Sequence, residues 1–287
     1  MINKNQQLVG VGLRSNHYPD IENEIKTNVD WFEAISENYM NTQGRPLNML
    51  LKVRETYPVA LHGVGMSIGT HNGQSDKYLK KLKALIEKVE PHIVTDHLCW
   101  SGVGGHFSHD LLPFPFTQDA LKTIVRNIQQ VQEFLGRSIS LENISYYLKS
   151  NSDEMSETDF INEVCRQTGC GLLLDLNNID VNAQNHKFSA FEFLQRLNIQ
   201  NVRQIHLAGP SQEEGFVFDT HSSPVPNSVW DLYKIFIQLK SNVPVIIEWD
   251  ENIPAFDILE NEANKVKFIQ ESYIKSSKIE HRDSHHG

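Results

Sequence analysis

Side chains that can hold a metal ion or move a proton recur at one kind of place in this chain, the C-terminal end of a short apolar run. One run ends in Glu37-Asn38, the next in His62-Gly63, and then come Asp96-His97, Glu142-Asn143, Asp175 with Asn177, His206 and Glu248. FDTHSSP adds Asp219 and His221 on one side of a short extended stretch. Singly, each has an ordinary structural use: a carboxylate caps a helix or pairs with arginine, and a histidine sits hydrogen-bonded in a core. As a set they do not, because about four carboxylates and several imidazoles buried on one face cost several kcal/mol per uncompensated charge. The nearest cation in these runs is Arg14, so metal ions are the economical source of the missing charge. Nitrogen and carboxylate donors suit iron(II), manganese or zinc rather than copper(I) or an iron–sulfur cluster. Nine candidate donors exceed the needs of one ion. Two or three ions bridged by carboxylates are therefore expected, with Glu142 and Asp175, from neighbouring runs, as the bridges.

The elements that must position these groups can be read from the same runs. Eight strands are predicted, at 9–14, 31–39, 58–64, 93–99, 139–144, 171–177, 202–208 and 243–250. GLLLDLN and VPVIIEWD are nearly continuously apolar, as parallel strands buried on both faces are. Helical spacing fills the gaps at 77–89, 117–135, 157–168, 188–197, 228–239 and 258–273. Parallel strands need long crossovers, and eight strand–helix units fit a closed (β/α)8 TIM barrel, which typically takes about 250 residues and places its site at the strands' C-terminal face. One domain is expected over 1–274. A polar, flexible tail is expected over 275–287 (KSSKIEHRDSHHG).

Composition narrows the function classes. Of 287 residues 39% are hydrophobic, enough for a core, and 26 basic against 36 acidic side chains give a net charge of −10. With that balance and no basic block, nucleic acid is excluded as a partner. No stretch approaches the roughly 18 apolar residues of a membrane span, and the N-terminal MINKNQQLVGVGL lacks a signal-peptide core, so a cytoplasmic protein is expected. Cys99, Cys165 and Cys170 form no CxxC and suggest neither disulfides nor a zinc–thiolate site; Cys99 reads as a small buried strand residue. Gly63, Gly65 and Gly69 in HGVGMSIG lack the Lys-Ser/Thr of a phosphate loop and read as a tight turn. His106 and His109, in the glycine-rich loop WSGVGGHFSHD, lie within reach of the site. Asn143 and Asn178 suit substrate hydrogen bonding or helix capping; Asn143 is expected, with Glu37 and Asn38, to be catalytic.

The segments GVGLRSNHY, DWFEAISENYM, LHGVGMSIG, TDHLCWSG, DLLPFPFT, LENISYYL, GLLLDLNN, IHLAG, DTHSSPV and IEWD resemble, in this order, signature segments of the multinuclear non-heme iron-dependent oxidative enzymes. That family includes enzymes of methanobactin maturation and of the thiaglutamate pathway. The resemblance runs from about Val9 to near Ile274. It implies a barrel with two or three irons, oxygen as co-substrate, and multi-electron oxidation of a cysteine in a ribosomally made precursor peptide. It also implies a separate partner protein that binds the peptide leader. Carried over residue by residue, it assigns His62, His97, Glu142, Asp175, Asn177, His206, Asp219, His221 and Glu248 to metal-binding positions and Glu37-Asn38 to an active-site segment. GHFSHD stands where the family's segment before DLLP reads like GVYLND, which bears on substrate choice. Without the resemblance, a barrel hydrolase or sugar isomerase with two or three zinc or manganese ions is the competing reading.

Overall fold

The computed structural model describes residues 8–23, 26–103 and 106–283; the side chains of Val103, His106, Phe107, His109 and residues 276–283 lie outside the described set. In chain order the strands are β1 (Val9–Gly12), β2 (Trp31–Ile35), β3 (Val59–His62), β4 (Ile93–His97), β5 (Trp100–Val103) and β6 (His106–Leu112). They continue with β7 (Ser140–Glu142), β8 (Gly171–Asp175), β9 (Val202–Leu207), β10 (Ser211–Glu213), β11 (Phe216–Phe218) and β12 (Val245–Ile247). The helices are α1 (Tyr18–Glu22), α2 (Glu37–Met40), α3 (Arg45–Thr56), α4 (Asp76–Val89) and α5 (Gln118–Leu135). After them come α6 (Glu157–Thr168), α7 (Leu176–His186), α8 (Ala190–Arg196), α9 (Asn227–Leu239) and α10 (Phe256–Asp283).

Eight strands close a barrel in the order β1-β12-β9-β8-β7-β4-β3-β2, with every neighbouring pair parallel. All eight fall inside the predicted runs. β8 (GLLLD) is buried at every position, as its unbroken apolar run requires. Helices α4, α5 and α6 fall within one residue of the predicted limits, and their ends are chemically marked. Ser75, Thr117 and Ser156 accept hydrogen bonds at the N-termini of α4, α5 and α6, and Gly136 and Gly169 take left-handed φ of 69° after α5 and α6.

Several elements differ from the sequence reading. β2 stops at Ile35, and Glu37 and Asn38 lie in the short helix α2. Asn177 lies in the first turn of α7, and Glu248 directly follows β12. The antiparallel hairpins β5/β6 and β10/β11 sit in the loops after β4 and β9. The last helix continues to Asp283, so the boundary expected at 275 falls inside it; residues 284–287 lie outside the described residues.

Candidate metal centre

The barrel strands end together, and their terminal side chains converge in three adjoining groups. His62 and His97 each place Nε2 3.3 Å from Glu142 Oε2. Glu142, Asp175, His206 and Glu248 form a second, fully buried group, with His206 Nδ1 2.8 Å from Glu248 Oε2 and 3.5 Å from Glu142 Oε1. The third surrounds His221, whose Nε2 is 2.6 Å from Asp219 Oδ1 and whose Nδ1 is 3.3 Å from Glu248 Oε2 and 3.1 Å from Asp250 Oδ2. Glu142 belongs to the first two groups and Glu248 to the last two. Glu142 and Glu248 are thus shared between groups, and Asp175, the other bridge expected from sequence, places Oδ2 4.0 Å from His206 Nδ1 and 3.8 Å from His221 Nε2. Its Oδ1 caps α7 by accepting from Asn178 N at 2.7 Å.

The outward nitrogens of the rings are all engaged, which fixes the face turned inward. His62 Nδ1 lies 2.7 Å from Thr95 Oγ1, His97 Nδ1 3.0 Å from the Gly63 carbonyl, and His206 Nε2 2.8 Å from Glu33 Oε1. Donation outward leaves an inward lone pair, the tautomer a metal ligand needs. Gln204 Nε2 donates to the other Glu33 oxygen, so Glu33 and Gln204 form a layer beneath the centre. His221 follows the rule with Nδ1 donating to Asp250, itself paired with Arg14; Nε2 then faces Asp219 and Asp175. Asn177 Nδ2 donates to Asp219 Oδ1 at 2.8 Å, leaving its own Oδ1 inward.

The inward atoms show what the centre lacks. Glu142 Oε2, Asp175 Oδ2, Asn177 Oδ1, His206 Nδ1, His221 Nε2 and Glu248 Oε2 are buried without a well-formed hydrogen bond. Burial pushes Glu142 up to about 7 against the pull of His206, and burial with the Glu142 charge holds Asp175 well above the usual carboxylate range. Burial, with His97 and His206 nearby, holds His62 well below its ordinary value. Burial alone would lower His206, but Glu248, Glu33 and Glu142 outweigh it and raise it well above. Six carboxylates (Glu33, Glu142, Asp175, Asp219, Glu248, Asp250) gather around these imidazoles, and among the described residues the one guanidinium paired with any of them is Arg14, with Glu248 and Asp250. Unpartnered lone pairs in an electron-rich buried pocket are what bound cations satisfy, so the residues fit a multi-metal site.

Each of the nine donors named from sequence lies in this centre. The three expected catalytic groups do not. Both ends of the Asn143 amide hold the backbone of Asp175, Nδ2 donating to its carbonyl at 2.9 Å and Oδ1 accepting from its N–H at 3.0 Å. Glu37 Oε1 accepts from the N–H groups of Val64 and Gly65 and from Tyr78 Oη at 2.7 Å, bracing the glycine turn after β3. Asn38 is exposed on α2. The side chains of His106 and His109 lie outside the described residues. Sequence reasoning missed Glu33, Gln204 and Thr95; the available signal was period two, since Gln204 and Thr95 each stand two residues before a ligand on the same strand face. Cys99 is fully buried, as expected.

Beside the centre, the segments after β4 and β7 wall a groove of about 620 Å³ with Trp100, Phe114, Phe116, Tyr146, Met155 and Phe188. Leu148, on its edge, is 80% exposed. Phe114, Phe116, Tyr146 and Glu157 also line a small void that reaches Asn143, the residue holding Asp175.

The family model described as "RiPP precursor modification enzyme MbnB/TglH/ChrH" matches residues 8–271. A UPF0276 protein of Caulobacter vibrioides is 48% identical over 250 residues, covering 87% of this chain and 89% of its own. A UPF0276 protein of Anaeromyxobacter sp. is 43% identical over 261 residues, covering 91% and 92%. Among solved structures, an L-ribulose 3-epimerase aligns with a TM-score of 0.63 at 12% identity, covering 96% of this chain and 98% of that one. A xylose isomerase-like TIM barrel protein from Mycobacterium smegmatis, in complex with magnesium, aligns at 0.59 and 11% identity, covering 94% and 98%. Identities this low establish the shared barrel and nothing about chemistry.

Proposed function

This chain belongs to the family of RiPP precursor modification enzymes MbnB/TglH/ChrH, and from that premise we propose that it is an iron-dependent, oxygen-using oxidase that modifies cysteine in a ribosomally made precursor peptide. The observation that carries the reading is the run of three adjoining donor groups joined by two shared carboxylates, Glu142 and Glu248. His62, His97 and Glu142 would hold one ion, Glu142, Asp175, His206 and Glu248 a second, and Asn177, Asp219, His221 and Glu248 a third. Such ions, with coordination positions left open, supply oxygen binding, one-electron chemistry and a docking point for a thiolate.

The chain's own residues set the conditions for that chemistry. Thr95, the Gly63 carbonyl, Glu33 and Asp250 hold the four imidazoles in one orientation. Asn143 and Glu37 act as positioning residues, the first on Asp175 and the second on the turn beneath His97. The aromatic groove beside the centre offers an extended peptide an apolar wall from which a cysteine can reach inward. A separate leader-binding protein and a cytoplasmic setting, where cysteine stays reduced, complete the proposal; among the described residues no helix is long and apolar enough to cross a membrane.

The test is metal content per chain after purification under low oxygen, with Mössbauer spectroscopy on iron-57-grown material. Two or three exchange-coupled irons support the reading. At most one tightly bound ion, or stoichiometric zinc or manganese after growth with ample iron, overturns it.

A further inference from the structure

Three of the chain's 26 basic side chains meet at the opposite end of the barrel from the donor groups. A pocket of about 450 Å³ opens there, between the starts of β4, β7, β9 and β12, and Arg137, Arg203, Lys240 and His92 line it. No Asp or Glu does, and among the described residues none of Arg137, Arg203 and Lys240 forms an ion pair. In a chain of net charge −10, three cations left without a carboxylate in one cavity are a local inversion of the whole.

The three are held in place by neutral groups. Arg137 donates to the carbonyls of Pro91 and His92 at 3.2–3.3 Å, Arg203 Nη1 to Gln200 O at 2.9 Å, and Lys240 Nζ to Val202 O at 2.8 Å. Carbonyls orient these groups without cancelling their charge, and a guanidinium has five N–H donors, more than these contacts use. Burial lowers the pKa of both Arg137 and Lys240, with the Arg203 charge adding to the second; burial and Arg137 lower His92. The cluster is therefore self-repelling, and a bound anion would relieve it.

We propose that this N-terminal-face pocket is a binding site for a small multivalent oxyanion of the phosphate type, gripped by Arg137, Arg203 and Lys240. Two guanidinium forks and an ammonium match a phosphate or diphosphate group, and the volume falls within the range of small-molecule sites. The size of the ligand follows from the chain's charge, because a polyanion would be repelled at long range by the acidic surface whereas a small ion senses the local cluster. Val202, Val243 and Pro244 give the pocket an apolar side for an organic group carried by the phosphate. The site does not rest on the reading of the metal centre.

The experiment is calorimetric titration of the metal-loaded, full-length protein with inorganic diphosphate, and separately with a nucleoside diphosphate, at constant ionic strength. One site per chain is expected, with affinity falling about tenfold or more in Arg203→Gln and in the double variant Arg137→Gln/Lys240→Gln, since each substitution removes a charged hydrogen bond. Because Arg137 also holds two carbonyls, Arg203→Gln, whose side chain is exposed, keeps the test readable if the double variant misfolds. Tighter binding of the nucleoside diphosphate identifies a phosphorylated small molecule, and equal binding a free anion. Absence of saturable heat overturns the proposal. So does unchanged affinity in Arg203→Gln, which would place the diphosphate on the metal face instead.

Discussion

His62 is useful only because of Thr95. The hydroxyl at 2.7 Å accepts a hydrogen bond from Nδ1–H and keeps the Nε2 lone pair turned toward Glu142. Thr95→Val removes that acceptor while preserving shape, and metal affinity is expected to fall about 10- to 100-fold, as for other partners of ligating histidines; iron retained against a graded chelator measures it. His97→Ala and Glu142→Gln are expected to abolish turnover of a cysteine-containing precursor while circular dichroism stays native. Retained activity in both would remove the metal assignment. At this scale the sequence was legible wherever a ligand ends a strand, because position alone marked it. Glu33 was not legible, since a single carboxylate inside the run WFEAI carries no sign of the imidazole it faces across the barrel.

Helix α7 begins on a residue with two tasks. Asp175 Oδ1 caps the helix while Oδ2 faces the centre, so the two roles separate by substitution. Asp175→Asn keeps the cap and loses the charge: without metal it is expected to be at least as stable as the native chain, but to bind metal poorly. Asp175→Ala also loses the cap and is expected to be about 1 kcal/mol less stable than the Asn variant in thermal melts. Glu157, in the first turn of α6 beside the groove, gives a pH test. Burial pushes its pKa up to about 7 despite the hydrogen bond from Tyr146 Oη. A carboxyl raised in the folded state binds its proton more tightly there than in the unfolded chain, so its contribution is full at low pH and is lost as pH rises from about 4.5 toward 7. Glu157→Gln is expected to flatten that part of the stability–pH curve by about 1–3 kcal/mol, read from urea midpoints at pH 4.5 and 7.5. Among elements, the barrel strands and six helices (α4, α5, α6, α8, α9 and α10) were legible from apolar runs and helical spacing, whereas α3 was not read. α7 was not, because LNNIDVN is buried all round, with asparagines facing polar partners, and so shows no amphipathic stripe.

The barrel carries a carboxylate-rich cluster at one end and the Arg137–Arg203–Lys240 cluster at the other, a segregation confined to those two sites. Its eight-strand closure was readable from the count and spacing of runs, whereas the segregation was not, since Arg137, Arg203 and Lys240 meet only when the strand starts are brought together. Metal binding to the folded chain alone stabilises it by mass action, about 2.7 kcal/mol at a hundredfold excess over Kd. Chelation is therefore expected to lower the melting temperature by several degrees and readdition of iron to restore it. A melt indifferent to chelation would separate the donor cluster from folding.

The position of Glu248 has a consequence for synthesis. It follows β12, the strand that pairs with β1 to close the barrel, and it is shared by two of the donor groups. The two donor groups that share Glu248 cannot be complete until nearly the whole chain has left the exit tunnel. Under the proposed reading, full metal loading would be tied to completed translation, and a chain truncated before β12 would lack a carboxylate of two of its three donor groups.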